Sequence, residues 1–143
     1  MPGVQEGLVN AVVAYLDAAV FSQSFTPAKK LVPDFQRDAL SGYAVDVYAG
    51  PATREKQSRS GVWLKTWSVG IVVRCAADLS AAQLETKAGE FLQLCEEICD
   101  SLRAQNMAGL PPVEIDQESP FDMGKISDYG LLFAQIIVKY KDI

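Results

Sequence analysis

The sequence predicts an α+β domain in which two helices pack on one face of a mainly antiparallel sheet. Two observations carry this prediction. A helical apolar period occurs in two segments, one near the N-terminus and one in the middle of the chain, and strand-like alternation fills the segments between and after them. At 143 residues the chain has the length of one domain with a sizeable core, so we assign residues 1–143 to a single domain.

The longest helical segment runs from Ser80 to about Gln105. Its apolar residues recur in steps of four and three, and two more widen the stripe: Leu84, Ala88, Phe91, Cys95, Ile98 and Leu102, with Leu92 and Cys99 beside them. Ser80 and Gln83 fit the capping box that marks a helix start. A shorter helix is predicted from Gln5 to about Val20, with one apolar side: Leu8, Val9, Val12, Val13, Leu16 and Val20.

The first predicted strand, residues 25–31, is typical of a sheet edge. Pro27 lacks an amide donor, and Lys29 and Lys30 deter pairing with a further strand. Pro33 closes this strand, and a short polar connector follows it. The sheet is therefore expected to begin with a short, charged outer strand.

A pair of antiparallel strands is predicted next. Residues 43–49 alternate and end at Gly50-Pro51, and residues 62–76 form a strand far longer than the usual length of about five or six residues. The connection between them, residues 52–61, has no aliphatic residue larger than alanine, so we expect it to be exposed and mobile. We expect residues 50–66 to project as a β-hairpin arm, with Gly70 at the bend where the arm leaves the body.

Two strands are predicted after the long helix. Residues 113–117 alternate briefly, and a loop with two glycines and a proline leads to the final strand, residues 131–140. Both faces of that strand are apolar up to Gln135, since Leu131 and Phe133 alternate with other apolar residues. This pattern predicts either a central strand or a strand whose second face is buried by another subunit.

Composition excludes several classes of function. A net charge of −5 and a pI near 4.7 argue against a protein that grips nucleic acid over a broad surface. Cys95 and Cys99 lie on the buried stripe and are expected to be reduced core thiols. The sequence has neither the pattern of a signal peptide nor the apolar run of a membrane span, so we expect a soluble, cytoplasmic protein.

The residue types offer little chemistry. The chain has no histidine, which is the commonest general base and zinc ligand. The carboxylates of the long helix share its solvated face, which is a commoner arrangement than an acid–base pair. Glu114, Asp116 and Glu118 alternate along a predicted strand and would therefore share one face. A calcium site is conceivable there, although the EF-hand spacing is missing. We predict no catalytic residue, cofactor or metal.

Three features point to protein–protein contacts instead. Trp63 and Trp67 share one face of the long strand, and tryptophan is enriched at interfaces, although a core position is an equal alternative. Arg54, Lys56 and Arg59 form a basic patch at the arm tip, for which a solvated loop is the ordinary alternative. The third feature is the final strand, which is apolar on both faces.

The order of the elements carries a resemblance. After a short N-terminal helix, residues 25–35 follow the pattern aromatic-T-x-x-[KR]-x-x-x-P-x-[FY]. Next come a leucine-containing connector and a valine-rich strand that leads to a polar loop with Arg54. The order ends with a tryptophan-bearing strand that closes at residues 71–73, a long helix and a final strand that ends at Tyr140. Over nearly the whole chain this resembles small tail-terminator or tail-completion proteins encoded in the head–tail joining region of long-tailed bacteriophages.

The resemblance implies a virion protein that forms a hexameric ring on the finished tail tube. Such a ring ends tube polymerisation, offers a surface to the head connector and lets DNA pass without specific binding. The edge strand with Lys29 and Lys30 and the final strand are candidates for its side contacts. The basic arm tip would meet an acidic tube or connector surface. A head-completion or tail-tube protein of the same gene region, and a stand-alone ligand-binding or regulatory α+β domain, are the alternatives.

Overall fold

The fold is an open five-stranded sheet with two helices. The computed structural model describes residues 3–23, 25–30, 43–56, 63–76, 81–117 and 131–142. The elements in chain order are α1 (Val4–Ala18), β1 (Pro27–Lys29), β2 (Ala44–Lys56), β3 (Trp63–Ala76), α2 (Ala81–Arg103), β4 (Pro112–Gln117) and β5 (Leu131–Asp142). The strand order is β1-β2-β3-β5-β4, with β1 parallel to β2 and the other neighbouring pairs antiparallel. The predicted α+β fold with a mainly antiparallel sheet is confirmed.

Both helices pack against the same face of the sheet and bury one continuous core. Alternate residues of each long strand point into it, as the two-residue period of a strand requires. The largest fully buried side chains come from both helices and from β3 and β5, and include Leu8, Leu16, Ile71, Phe91, Leu94, Ile98, Leu102, Leu132, Ile136 and Tyr140. The prediction that two helices cover one sheet face is therefore confirmed.

Among the described side chains of α2, Leu92 departs from the predicted buried stripe, and Ala88 is only half-buried. Phe91, Cys95, Ile98 and Leu102 are buried as expected, and so is Cys99. Leu92 was expected beside them, but it is 36% exposed, and the buried neighbour is Leu94. Leu94 lies three residues after Phe91 and therefore on the same helix face, whereas Leu92 is turned away by about 100°. The proposed capping residue Ser80 and the side chain of Leu84 lie outside the described residues.

Helix α1 ends two residues before the predicted end at Val20. Its C-cap Ala19 is extended, with φ −78° and ψ 154°, and donates its N–H to the Tyr15 carbonyl. Val20 is therefore not part of the helical stripe and is 96% exposed. The chain then turns back, and the ring of Phe21 stacks on that of Phe25 with centroids 5.5 Å apart.

The outer and central strands lie where the sequence placed them. The predicted edge strand contains β1, which is the outermost strand on one side of the sheet. The final strand, β5, lies between β3 and β4. It is therefore a central strand, which was one of the two alternatives that its apolar faces predicted. The predicted connector at residues 34–41 and the loop at 118–130 lie outside the described residues.

The predicted end of the second strand at Gly50-Pro51 is wrong. Ala49 pairs with Val69 and Ala52 pairs with Trp67, so two residues of β2 oppose Ser68 alone. This is a β-bulge, which accommodates a proline because the extra residue leaves the hydrogen-bond ladder. Beyond the bulge β2 resumes, so residues 52–56 form a paired strand and not a connection between strands, while Ala52, Thr53 and Arg54 are exposed as expected.

Helix α1 holds this bulge in place. The amide nitrogen Nε2 of Gln5, in the first turn of α1, donates to the carbonyl oxygens of Gly50 and Ser68, the latter at 3.0 Å. These carbonyls come from the two strands that the bulge disturbs. One side chain therefore supplies hydrogen bonds where the ladder between β2 and β3 is interrupted.

The projecting arm is not confirmed. Strand β5 accompanies β3 as far as the pair Lys65 and Asp142. Beyond that row, β2 and β3 pair alone only at Glu55 with Leu64 and Lys56 with Trp63. In the described part of the chain, the two strands are thus integrated into the sheet along almost their whole length. Residues 57–62, including Arg59, lie outside the described residues.

The three thiols lie in the core, and their surroundings disfavour the thiolate. Cys75, Cys95 and Cys99 are buried and reduced. Burial raises the pKa of Cys75 to about 11 and that of Cys95 to about 12, and it also raises the pKa of Cys99. A thiol must ionise and be accessible to act as a nucleophile, so both conditions oppose reaction in the folded state.

We therefore expect Cys95 and Cys99 to react slowly with a disulfide reagent at pH 8 in the native protein. Labelling should require opening of the core, and its rate should rise steeply as denaturant is added. The absorbance of the released thiolate measures it, and the protein in urea gives the fully accessible rate. Rapid labelling of both thiols without denaturant would show that α2 does not bury them.

Candidate interaction surfaces

The sheet face opposite the helices, which we call the second face, carries its own buried residues. Tyr48 and Val72 are buried there, and Ile137 packs against them. Arg74 donates from Nη2 to Oδ2 of Asp46 at 2.8 Å, with side chains only 6% and 5% exposed. Because a buried ion pair loses its hydration, it contributes to the geometry of this face more than to net stability.

Gly70 has a different role from the bend that the sequence suggested. It pairs with both neighbouring strands and lies opposite Tyr48, whose ring covers it. A Cβ atom at this position would overlap the Tyr48 ring. The amide of Gln135 donates to the Tyr48 hydroxyl and holds the ring over the glycine. Gly70 therefore makes room for an aromatic side chain that covers the middle of the second face.

A groove of about 960 Å³ crosses the second face from β2 to β4. Short polar side chains line it on the inner strands, including Thr53, Thr66 and Ser68. On the β4 side it is lined by Asp116 and by Val113, which is 54% exposed. Its volume is in the range of ligand pockets, and its extent across four strands also suits a segment of another protein. Hydroxyl, carboxylate and apolar groups are all available to such a partner.

Trp67 lies at the margin of the helix-side core. It is half-buried, and its Nε1 atom donates to Oδ2 of Asp142 at 3.4 Å. The guanidinium of Arg54 lies over the indole ring, 5.4 Å from the centroid. Arg54 itself is exposed. Trp67 therefore packs against the core, and its ring also contacts the Arg54 guanidinium at the end of the sheet. The core position and the contact position that the sequence allowed are compatible for this residue.

The structure brings some of the predicted interface residues together and separates others. Arg54 meets Trp67, and Gln135 lines the groove beside Tyr48. Lys29 and Lys30 lie at the β1 edge, away from both. The side chains of the remaining predicted residues are not described. The backbone places Lys56 in β2, Trp63 in β3, and Leu131 and Phe133 in β5, whereas Arg59 lies outside the described residues.

Lys29 and Lys30 are held differently at their edge. The Lys29 ammonium pairs with Oε1 of Glu6 in α1 at 2.5 Å. The backbone N–H of Lys30 donates to the carbonyl of Val47 at 2.8 Å and so continues the ladder past the end of β1. The side chain of Lys29 and the backbone of Lys30 are therefore both tied to the body of the domain.

Apart from Gln135, the groove residues were not predicted as contact residues from the sequence. Thr53 lay in the expected mobile connection, and Thr66 and Ser68 were the polar positions of the long strand. Their alternation with Trp67 and Val69 is a signal that they share one face. Nothing local indicates that this face meets Val113 and Asp116, because that depends on the order of the strands.

The described residues contain no cluster of three or more cysteine and carboxylate side chains placed to hold a metal ion. Within the same residues, neither helix has the length and hydropathy needed to cross a membrane. A scan against protein-family models and a search of curated proteins find no match to this chain.

Proposed function

We propose that this chain is a structural protein of a bacteriophage virion that forms a hexameric ring on the tail tube. The ring would end tube polymerisation and join the tail to the head connector. The observation that carries the proposal is the open sheet, whose helices occupy one face only. The groove on its second face and the outer strands β1 and β4 are the candidate contact surfaces among the described residues, and the order of its elements resembles that of tail-terminator proteins.

Lateral assembly requires two different surfaces on one chain. A ring is built from heterologous contacts, in which one side of a subunit meets the opposite side of the next. The outer strands β1 and β4 are such a pair, because they lie on opposite sides of the sheet and differ in length and charge. A twofold dimer would instead use the same surface twice.

Axial contacts to the tube or the connector are assigned to the end of the sheet where β2 and β3 extend furthest. Arg54 is held there on Trp67, and Lys56 follows it in the same strand. Aromatic side chains and arginine are the residue types most often found at the energetic centre of interfaces. An acidic partner surface would be attracted to this end, with effects on encounter rate and specificity more than on affinity.

Reversing these charges tests the proposal. We expect the triple variant Arg54→Glu, Lys56→Glu, Arg59→Glu to fold, since Arg54 is exposed and the sequence predicts the same for Lys56 and Arg59. Exposed charge changes each shift stability by about 0.5 kcal/mol or less, and loss of the Arg54–Trp67 contact costs about 1 kcal/mol at most. The variant should no longer cap tubes polymerised from the tail-tube protein of the same gene region. Electron microscopy of tube lengths measures this, and tubes should exceed the length reached with the wild-type chain.

The matched control keeps the charges: Arg54→Lys, Lys56→Arg, Arg59→Lys. It should cap tubes like the wild type, and added salt should weaken the wild-type effect because exposed charges are screened over about 8 Å at physiological ionic strength. A folded charge-reversed variant that caps tubes as well as wild type would refute the axial assignment. Wild-type protein that leaves tube length unchanged would refute the proposed function.

The groove favours a second candidate, a ligand-binding or regulatory domain. Its volume of about 960 Å³ would accommodate a small molecule. The mass of the particle in solution separates the candidates, since a hexameric ring has six times the 15.5 kDa of the chain. A chain that stays monomeric with tail tubes and binds a small molecule through Thr66 and Gln135 would favour the second candidate.

A further inference from the structure

The two outer strands of the sheet carry opposite charges. At the β1 edge are Lys29 and Lys30, and on β4 are Glu114 and Asp116, both of which are exposed. Lys29 pairs with Glu6, and Glu114 pairs with Lys139 at 3.2 Å, so charges of both strands also make contacts within the domain. Opposite charges on opposite sides of one sheet are what a head-to-tail contact between copies needs.

Lys30 and Asp116 also lie at the two ends of one row across the sheet. Asp116 pairs with Ile137, Ile137 with Gly70, and Gly70 with Tyr48. Lys29 pairs with Val47 in the parallel register, so Lys30, the next residue, lies beside Tyr48. Since Lys29 points to the helix side, where it meets Glu6, Lys30 points to the second face, as does Asp116.

These two charges cannot meet within one chain. Four strand spacings of about 4.8 Å separate β1 from β4, so the two ends of the row are about 19 Å apart. They can meet only between copies. The pairing directions fix the geometry: β1 runs with β2, β4 runs against it, and so β4 of one copy would be antiparallel to β1 of the next.

We propose that β4 of one copy lies against β1 of the next, with Asp116 facing Lys30, so that the row continues from copy to copy. This inference rests on the proposed ring and names the surfaces that hold it together. Strand β1 has three residues and begins with Pro27, which donates no N–H, so main-chain hydrogen bonds are few. The charge pair therefore selects the partner and its register.

Charge exchange tests the contact. Asp116→Lys makes both edges basic, and Lys30→Glu makes both acidic. Each single variant should raise the dissociation constant for self-association at least about tenfold, since like charges then face each other. The double variant Asp116→Lys, Lys30→Glu should associate like wild type, and an equimolar mixture of the single variants should form alternating assemblies. Native mass spectrometry and sedimentation at low ionic strength measure these states.

The control Glu96→Lys makes the same charge change on the exposed side of α2 and should leave association unchanged. Circular dichroism checks that each variant is folded. Wild-type protein that stays monomeric at all concentrations would overturn this inference, and the tube-capping assay would then decide the proposed function separately. Suppose instead that the wild type associates, and that the single variants associate equally well or the double variant does not associate. Either result would overturn the contact between Asp116 and Lys30 but not the proposed ring. It would mean that the edge lysines only discourage aggregation.

Discussion

Replacing Phe91 with alanine is expected to lower the free energy of unfolding by about 3–5 kcal/mol, the usual cost of removing a buried aromatic side chain. Phe91 is 0% exposed and lies in the core between α2 and the sheet. Its ring also stacks on that of Tyr43, with centroids 6.4 Å apart and planes inclined by 19°. The alanine variant would leave a cavity that neither the helix nor the sheet can close. Urea unfolding followed by circular dichroism measures the change.

The next residue of α2 provides the control. Leu92 is 36% exposed, so Leu92→Ala should cost about 1 kcal/mol or less. Similar losses for the two variants would mean that α2 is rotated about its axis relative to the sheet. A loss below about 1 kcal/mol for Phe91→Ala would mean that the stripe faces solvent.

The elements that sequence reasoning placed correctly are those with strong local periodicity. The steps of four and three through Phe91, Cys95, Ile98 and Leu102 define one helix face, and burial follows that face. The edge position of β1 was also predicted, because proline and two lysines make a strand unsuitable for pairing on both sides. Local patterns thus determined the fold class.

The errors arose where tertiary contacts override a local signal. Gly50-Pro51 resembles a strand end, but the side chain of Gln5 supplies the hydrogen bonds that let β2 continue through a bulge. Gly70 resembles a bend, but the ring of Tyr48 occupies the space that its missing side chain leaves. In both cases the partner is distant in sequence, so no window along the chain contains the information.

The candidate surfaces depend on strand order even more than the fold does. Lys30 and Asp116 belong to two separate charged sets in the sequence, and their places in one residue row appear only when β5 is placed between β3 and β4. The groove has the same origin, because it joins residues of four strands. Arg54 and Trp67 were both predicted as contact residues, but their stacking follows from the register of β2 against β3 beyond the bulge.

The second face combines features that a purely solvated face would lack. It contains a buried ion pair, a tyrosine held over a glycine and a residue row with a charged residue at each end. The groove and both outer strands belong to the same sheet. The ion pair under this face is therefore the place where stability and assembly can be separated by experiment.

Arg74→Met is expected to lower the free energy of unfolding by about 3–5 kcal/mol, because it removes one partner of a buried ion pair. Asp46 would keep a carboxylate only 5% exposed, and Arg74 is its ion-pair partner in the described part of the chain. Removing both charges by Arg74→Met with Asp46→Leu should recover most of the loss, since apolar residues of similar size often replace such pairs at little cost. Chemical denaturation of the two single variants and the double variant gives the coupling energy. Additive losses would mean that the two side chains act independently. If the recovered double variant also self-associates like wild type, the ion pair between Arg74 and Asp46 serves folding and is not required for assembly.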